Sequence, residues 1–266
     1  MKNINKIKNK IQEYWDRQPC NSKHSQKQNN SKEYFQEIAK KRYFVERHII
    51  NFANFKKYKN KNVLEIGCGI GTDAVEFIKN NANYVGIDYS KKSIEIAKKR
   101  IEVLDLHKKK FIFLHGDAEN LKPIKKIKKS FDLIYSFGVL HHTLNMQKCF
   151  DEIYKIADYK SVIKLMLYAK NSYKNFLLNT TKYRYEAQKG CPVVQTVDHQ
   201  DLNKLVKNKF KIMNVEQDFI FPYKINQYKK NKYELIDHFK YMPKKVFKKL
   251  EKKIGEHMLI TLKKIN

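Results

Sequence analysis

Short apolar runs alternate with stretches of helical periodicity along most of this chain. The apolar runs have the length of buried strands and lie at residues 62–65, 84–87, 111–115, 131–137 and 161–168. Apolar side chains recur at helical spacing between them, at 72–80, 90–106 and 150–158. Strands that alternate with helices predict an α/β fold, with a parallel sheet and helices on both faces. Later strand candidates that would complete the sheet lie at 210–220 and 258–262.

The first 57 residues follow a different pattern. Apolar residues within 32–54 recur at mostly helical spacing. Before them, the segment 14–21 holds the only tryptophan and reaches the helix-breaking Pro19. We therefore predict an N-terminal helical cap over residues 1–57.

The remainder of the chain, residues 58–266, is predicted to be one main domain with C-terminal helical insertions. Residues 169–198 are rich in Tyr and Asn, and residues 222–255 are aromatic and basic. Neither stretch is needed to complete the sheet. Two interpretations stay open, since each stretch either folds over a pocket as a lid or decorates the outside of the domain.

Three glycines at alternate positions follow the first predicted strand: Gly67, Gly69 and Gly71. A helical segment and a second strand come next, and that strand ends in Asp88. This layout of strand, glycine turn, helix, strand and acid is typical of a βαβ nucleotide site. Asp88 lies about 20 residues after the first glycine, where a carboxylate accepts hydrogen bonds from ribose hydroxyls.

The details of the turn narrow the choice of ligand. A dinucleotide fingerprint would place a third glycine at Thr72, and a P-loop would require a Gly-Lys-Ser/Thr sequence, which does not follow. Glu65, just before the glycines, would repel a pyrophosphate but suits an ammonium or a sulfonium. The ligand that fits is S-adenosylmethionine, with NAD as the alternative. A βαβ unit whose glycines serve only packing is the remaining interpretation.

Four co-linear motifs resemble class I S-adenosylmethionine-dependent methyltransferases, of the type 11-like group. They are VLEIGCGIGTDA, GID, GDA and FDLIYSFGVLHH, and the resemblance covers residues 58–168. It implies a Rossmann-like seven-stranded sheet whose last strand is antiparallel. It also implies that Asp117 lies beside an adenine. The implied cofactor-binding residues are Glu65, Gly67, Cys68, Gly69, Gly71, Asp88, Tyr89, Asp117, Ala118 and Ser136. One departure is the sequence Asp158 to Ser161, where such chains carry Pro-Gly-Gly.

The acceptor site is predicted at the end of the fourth strand. Methyl transfer needs alignment and the exclusion of water, and a general base only if the acceptor is protonated. The catalytic candidates are His141 and His142, although packed histidines would give the same sequence. Four residues of the cap are candidates for the wall of the acceptor pocket, or for a hydrophobic staple: Tyr14, Trp15, Arg17 and Cys20.

The net charge of +29 favours nucleic-acid binding only at first sight. Arginine, which nucleic-acid sites prefer, occurs at only five positions among the 56 basic residues. The lysines are spread along the chain, and this favours compositional bias. The four scattered cysteines indicate neither a disulfide framework nor a metal site. No stretch approaches the ~18 apolar residues of a membrane span.

The sequence therefore predicts a cytoplasmic enzyme that methylates a small-molecule acceptor held between the fourth-strand end and the cap. An RNA or protein methyltransferase and a non-catalytic cofactor-binding module are the alternatives. The acceptor atom and the oligomeric state stay open.

Overall fold

The computed structural model describes residues 2–127, 130–180 and 190–265. Seven strands form one sheet in the order β3-β2-β1-β4-β5-β7-β6. Only β7 runs antiparallel to its neighbours, β5 and β6. The predicted α/β class and the reversed last strand are confirmed. The strands are β1 (Asn62–Ile66), β2 (Asn83–Asp88), β3 (Phe111–His115), β4 (Leu133–Phe137), β5 (Val162–Tyr168), β6 (Phe210–Asp218) and β7 (His257–Lys264).

Twelve α-helices surround this sheet within the described residues. No helix in that part of the chain is long and apolar enough to cross a membrane. The helices of the first half are α1 (Lys2–Arg17), α2 (Lys32–Val45), α3 (His48–Ala53), α4 (Thr72–Lys79), α5 (Lys91–Val103) and α6 (Lys122–Lys125). Those of the second half are α7 (Met146–Ile156), α8 (Tyr173–Thr180), α9 (His199–Val206), α10 (Ile225–Tyr228), α11 (Asp237–Lys240) and α12 (Lys244–Ile254).

The central strands are buried on both faces, which explains their continuous apolar sequence. Successive side chains of a strand point to opposite faces. In β1, Val63 packs into the core that contains Phe77, and Leu64 packs into the core that contains Phe150. Because both faces exclude water, the sheet is a rigid platform for residues at its strand ends.

The segment predicted as the cap contains the first three helices, and α2 packs on the glycine turn. Phe35 and Ile38 of α2 are fully buried in a cluster with Ile70. The helix α1 docks on the start of α5, where Asp16 accepts hydrogen bonds from Ser90 Oγ at 2.7 Å and Lys92 N at 3.1 Å. The helix α1 continues to Arg17 and ends before the helix-breaking Pro19.

One helix boundary and one turn differ from what the sequence predicts or the resembling family carries, and both have local reasons. The helix α7 begins at Met146 rather than near residue 150, because the Asn145 side chain caps it by accepting a hydrogen bond from Lys148 N. The turn before β5 is closed by Ser161, whose hydroxyl accepts from Asp158 N and donates to Phe131 O. These bonds hold the turn in which such chains carry Pro-Gly-Gly.

The two predicted insertions are structured where the model describes them. Residues 222–255 carry α10, α11 and α12. Residues 169–180 contain α8, and Ala169 forms an isolated bridge to Val197. Residues 181–189 of the first insertion lie outside the described residues.

Candidate functional site

A cavity lies beyond the carboxyl ends of β1 to β4, where ligands of open α/β sheets bind. Its volume is about 1100 Å³, counting the open mouth. The sheet supplies one wall, and side chains from α1 and α2 supply the opposite wall.

The glycine turn forms the wall nearest β1. Gly67 N donates to Ile87 O at 2.7 Å, which holds the turn against β2. Gly67 has a positive φ of +79°, and a Cβ there would lie 2.2 Å from Val139 Cγ2. Only glycine meets both constraints without strain. The tight turn therefore leaves backbone, rather than side chains, facing the cavity.

Asp88 closes the wall at the end of β2. Its Oδ2 accepts from Gly69 N at 2.8 Å, and its Oδ1 accepts from Ser90 N at 2.8 Å. Burial raises the pKa of Asp88, although these two backbone hydrogen bonds work in the opposite direction. A carboxylate offers about four lone-pair sites, so Asp88 keeps acceptor capacity for a ligand with hydroxyl groups.

Glu65 lies at the inner end of the cavity and is almost fully buried. The Tyr84 hydroxyl donates to its Oε2 at 2.5 Å. Burial and the nearby Asp73 carboxylate raise the pKa of Glu65 well above its ordinary value, against the effect of that hydrogen bond. Acidic side chains concentrated at this end favour a cationic group on a ligand.

An ion pair between α2 and α4 adds a second charged centre, which the sequence analysis did not identify. Arg42 Nε and Nη2 each lie 3.0 Å from an oxygen of Asp73. The hydroxyls of Tyr43 and Tyr135 also donate to Asp73, each at 3.0 Å. Burial alone would lower the pKa of Arg42, but the carboxylates of Asp73 and Glu46 raise it above its ordinary value. Both members of the pair line the cavity.

A second cation that the sequence analysis missed, Lys8, reaches the cavity from α1. Its Nζ lies 2.5 Å from Asp117 Oδ2 and 3.0 Å from Glu119 Oε2. Burial alone would lower the pKa of Lys8, but the two carboxylates raise it. Lys8 thereby fixes α1 over the end of β3, so α1 covers the cavity.

The two adjacent histidines occupy different environments. His142 lines the cavity, and the edge of Trp15 packs on its ring at a centroid distance of 5.2 Å. His141 is fully buried behind it, stacked on Tyr168 at 3.8 Å. The 3₁₀ turn Leu140–His142 produces this split, because consecutive residues of such a turn project in different directions.

The comparisons with known proteins agree with this architecture. The family described as "Methyltransferase domain" matches residues 57–240. This chain belongs to that family. The predicted membership in the class I methyltransferases is confirmed.

Two curated relatives are similar to the methyltransferase domain over part of their length. Malonyl-[acyl-carrier protein] O-methyltransferase 1 of Ilyobacter polytropus is 24% identical over 164 residues, which are 60% of this chain and 57% of the relative. Ubiquinone biosynthesis O-methyltransferase of Pelagibacter ubique is 36% identical over 104 residues, which are 38% of this chain and 40% of the relative. The chain thus spans about half the length of these relatives.

Solved structures share the fold of the methyltransferase domain at low identity. Magnesium protoporphyrin IX methyltransferase from Synechocystis PCC 6803, with bound SAM, has a TM-score of 0.59 at 13% identity, covering 97% of both chains. The [4+2]-cyclase SpnF has a TM-score of 0.56 at 16% identity, covering 86% of this chain and 81% of that one. The fold is therefore shared by a methyltransferase and a cyclase, and it does not by itself decide the reaction.

The structure brings most of the predicted cofactor residues of the methyltransferase domain to one cavity. Those that line it are Glu65, Gly67, Cys68, Gly69, Asp88, Tyr89, Asp117 and Ala118. Two lie outside the lining. Ser136 is buried, because its hydroxyl donates to Ile66 O at 2.9 Å behind the turn. Gly71 precedes α4 and faces Ala97 of α5 rather than the cavity.

Of the four predicted cap residues, two line the cavity and two do not. Trp15 and Cys20 line the cavity. Tyr14 packs on Trp15 at a centroid distance of 5.0 Å, behind the lining. Arg17 lies outside it, and its Nε donates back to Glu13 O at 3.3 Å. The described part of the chain contains no group of three or more His, Cys, Asp or Glu side chains arranged to hold a metal ion.

Arg42 and Lys8 were missed because neither belongs to a recognisable motif. Each is one basic residue on a lysine-rich helix, and neither helix has a pattern that separates a cavity cation from a solvated one. The only sequence signal for Arg42 is its chemical type, because arginine is rare in this chain. Lys8 has no comparable signal.

Proposed function

We propose that this protein is an S-adenosylmethionine-dependent methyltransferase that acts on a small-molecule acceptor in the cytoplasm. The observation that carries the proposal is the order of groups along one wall of the cavity. Glu65 lies near the end of β1, Asp88 ends β2 and Asp117 follows β3, which is the order in which an amino-acid group, a ribose and an adenine would bind. Membership in the methyltransferase-domain family and two relatives named O-methyltransferases support it.

The residues of the cavity fit this cofactor. S-adenosylmethionine supplies a methyl group on a sulfonium centre, and it carries no phosphate. Asp88 would accept hydrogen bonds from both ribose hydroxyls. Asp73 and Arg42 present negative and positive charge together, which matches the zwitterionic amino-acid end of the cofactor. Glu65 adds a buried carboxyl group whose charged form an ammonium group would stabilise. Glu65 would instead repel the pyrophosphate of NAD.

The remaining lining residues enclose the acceptor. Trp15 and His142 lie at the end of the cavity bounded by β4. An aromatic face there stabilises a nearby cation by about 1 kcal/mol or more once water is excluded. Alignment within a closed, dry site accounts for most of the catalysis that methyl transfer requires.

The covering of the cavity by α1 supports a small acceptor. Lys8 and Asp16 join α1 to the ends of β3 and the start of α5, on both sides of the cavity. A large polymer would have to displace this helix to reach His142. The cytoplasmic location is supported by the four cysteines, all of which are free thiols.

Titration calorimetry with S-adenosylmethionine tests the cofactor. Asp88→Asn should weaken binding by about 1.5–3 kcal/mol, since one charge-assisted hydrogen bond to ribose is lost. Asp105→Asn is the matched control, because Asp105 is an exposed carboxylate in a turn. Equal affinities in the two variants would contradict the assignment of Asp88.

In a thermal-shift comparison, S-adenosylmethionine and not NAD should raise the melting temperature.

Incubation with methyl-labelled cofactor tests the acceptor class. Extracted small metabolites and total RNA would be offered separately. We expect label in the metabolites. Label in RNA alone would contradict the small-molecule proposal, and binding without any transfer would favour a non-catalytic module.

A further inference from the structure

The hydrogen bonds of His141 and His142 hold the two neutral rings in opposite tautomers. His142 Nδ1 lies 2.9 Å from Val193 O, and a carbonyl oxygen only accepts, so Nδ1 carries the proton. Tyr168 N donates to His141 Nδ1 at 3.3 Å, so His141 carries its proton on Nε2. That Nε2 is fully enclosed and has no partner among the described residues.

His142 therefore presents an acceptor, and no donor, to a ligand. Burial lowers its pKa to about 4, which keeps the ring neutral near pH 7. With Nδ1 bound to Val193 O, Nε2 is left unprotonated, and the His142 side chain lines the cavity. Within the described residues, no side chain or backbone group donates a hydrogen bond to Nε2.

The charges around His142 also favour a ligand that donates a hydrogen bond over an anionic ligand. Two cations line the cavity in the described part of the chain, Lys8 and Arg42, and each has carboxylates as partners. The charge of Lys174, which lies outside the lining, also lowers the pKa of His142, and Lys174 Nζ lies 2.8 Å from Glu256 Oε2. The polar neighbours at the β4 end, Asn21 and Thr143, are uncharged. A carboxylate placed there would bring lone pairs against the lone pair of Nε2, with no free cation to offset the cost of burying its charge.

We propose that the acceptor is a hydroxyl compound, a phenol or an alcohol, whose O–H donates to His142 Nε2. This inference rests on the proposed function and deepens it. A relative named ubiquinone biosynthesis O-methyltransferase favours oxygen over nitrogen or sulfur. A carboxylate oxygen is excluded because it has no proton to donate.

The proton balance of the transfer assigns His142 the role of base. The hydroxyl oxygen bonds to the methyl carbon, the carbon–sulfur electron pair stays on sulfur, and the hydroxyl proton moves to Nε2. A hydroxyl becomes strongly acidic as its oxygen forms the new bond, so a weak base suffices late in the step. The resulting imidazolium keeps its Nδ1–H bond to Val193 O and releases the new proton to water when the product leaves.

The tautomers can be measured without activity. Two-bond proton–nitrogen correlation NMR on histidine-labelled protein distinguishes protonated from unprotonated ring nitrogens. We expect His142 protonated on Nδ1 and His141 protonated on Nε2, with resonances assigned from His142→Gln and His141→Gln. A proton on Nε2 of His142 at pH 7 would overturn the proposal.

The chemistry of the labelled product tests the acceptor itself. Methyl-labelled cofactor is incubated with the metabolite fraction, and the products are treated with mild alkali. Label in a methyl ether resists alkali and is released as iodomethane by hydriodic acid, which is the expected result. Label released by alkali as methanol marks a methyl ester, and would overturn the hydroxyl assignment while leaving the methyltransferase proposal intact. No label in any fraction would overturn both.

The variants His142→Gln and His141→Gln distinguish a general base from a residue that acts only by packing. With the metabolite fraction that accepts label, His142→Gln should lower kcat by roughly 10²-fold or more, since positioned general bases contribute that much. Its cofactor affinity should stay within twofold of the parent. His141→Gln is the control, and it should lower the melting temperature but keep kcat within about threefold. Equal losses of kcat would show that the pair acts by packing.

Discussion

The two walls of the cavity are built in different ways. The glycine-turn wall comprises residues 65–72 and Asp88, which are close in sequence and are joined largely by backbone hydrogen bonds. The cap wall comprises Lys8, Trp15, Cys20, Arg42 and His142, which come from the cap and from the turn after β4. Its members are joined to the core by side-chain contacts over long sequence separations.

The difference teaches which parts of such a site tolerate change. The backbone geometry of the glycine-turn wall is set by a few φ angles and by close approaches, so it leaves little freedom in sequence. The cap wall depends on individual side chains such as Arg42 and Lys8, each of which other residues could replace. We therefore expect most of the cofactor recognition to reside in the first wall, joined by Arg42 of the second, and acceptor choice to reside in Trp15, Cys20 and His142. The predictions below test this division.

The largest effect is expected where the cap wall joins the core. Arg42→Ala removes the partner of Asp73, whose side chain is only 1% exposed. An uncompensated buried charge costs about 3–5 kcal/mol of unfolding free energy. Urea denaturation measures this loss of unfolding free energy. Arg47→Ala is the control, because Arg47 is an exposed arginine near the same helix, and its loss should stay within about 0.5 kcal/mol. Similar losses in both variants would show that the Arg42–Asp73 pair does not hold the cap.

In the glycine-turn wall, substitutions at Gly67 and Gly69 distinguish effects on stability from effects on cofactor binding. Gly67→Ala places a Cβ 2.2 Å from Val139 Cγ2 at a φ of +79°, and should cost about 2–4 kcal/mol of stability. Gly69→Ala has a φ of +52° and no atom within 4 Å of the added Cβ, so about 1 kcal/mol is expected. Gly69→Ala should nevertheless weaken cofactor binding at least tenfold in calorimetry, because Gly69 lines the cavity. Unchanged affinity would place the cofactor away from Gly69.

The pH dependence of stability reports the burial of His142. Its pKa is about 4 in the folded protein and about 6.5 in the unfolded chain. Between these values the unfolded chain binds more protons, so the wild type loses stability as the pH falls. The His142→Gln variant does not lose stability in this way, because glutamine does not titrate. Its stability relative to wild type should therefore rise by about 2 kcal/mol from pH 7.5 to pH 5, measured by urea denaturation. A difference independent of pH would mean that His142 titrates normally.

The smallest effect is expected at the outer edge of the cap wall. The Lys8–Asp117 pair is partly exposed, with side chains 20% and 24% accessible, so Lys8→Ala should cost less than about 1 kcal/mol. Hydrogen exchange of the α1 amides should become faster, because α1 is held less firmly over the cavity. Lys10→Ala, an exposed lysine on the same helix, should leave exchange unchanged. Unchanged exchange in Lys8→Ala would show that other contacts hold α1.

The fold was predictable because its signals are local. The strands β1 to β3 begin and end within about a residue of their apolar runs, since buried parallel strands must be apolar on both faces. The start of α7 was missed because a capping side chain, Asn145, extended the helix toward its N-terminus. The positions of Glu65, Asp88 and Asp117 follow from topology, since parallel strands end at one edge of a sheet.

The sequence by itself determined the sheet and the glycine-turn wall, because period, glycine spacing and strand ends are properties of neighbouring residues. Tertiary structure decided the cap wall. Arg42 meets Asp73 across 31 residues and Lys8 meets Asp117 across 109, and no local pattern encodes such contacts. It also decided between His141 and His142, which are equivalent in sequence. Val193 and Tyr168 lie on different elements, and the hydrogen bonds they make leave one histidine facing the cavity and the other in the core.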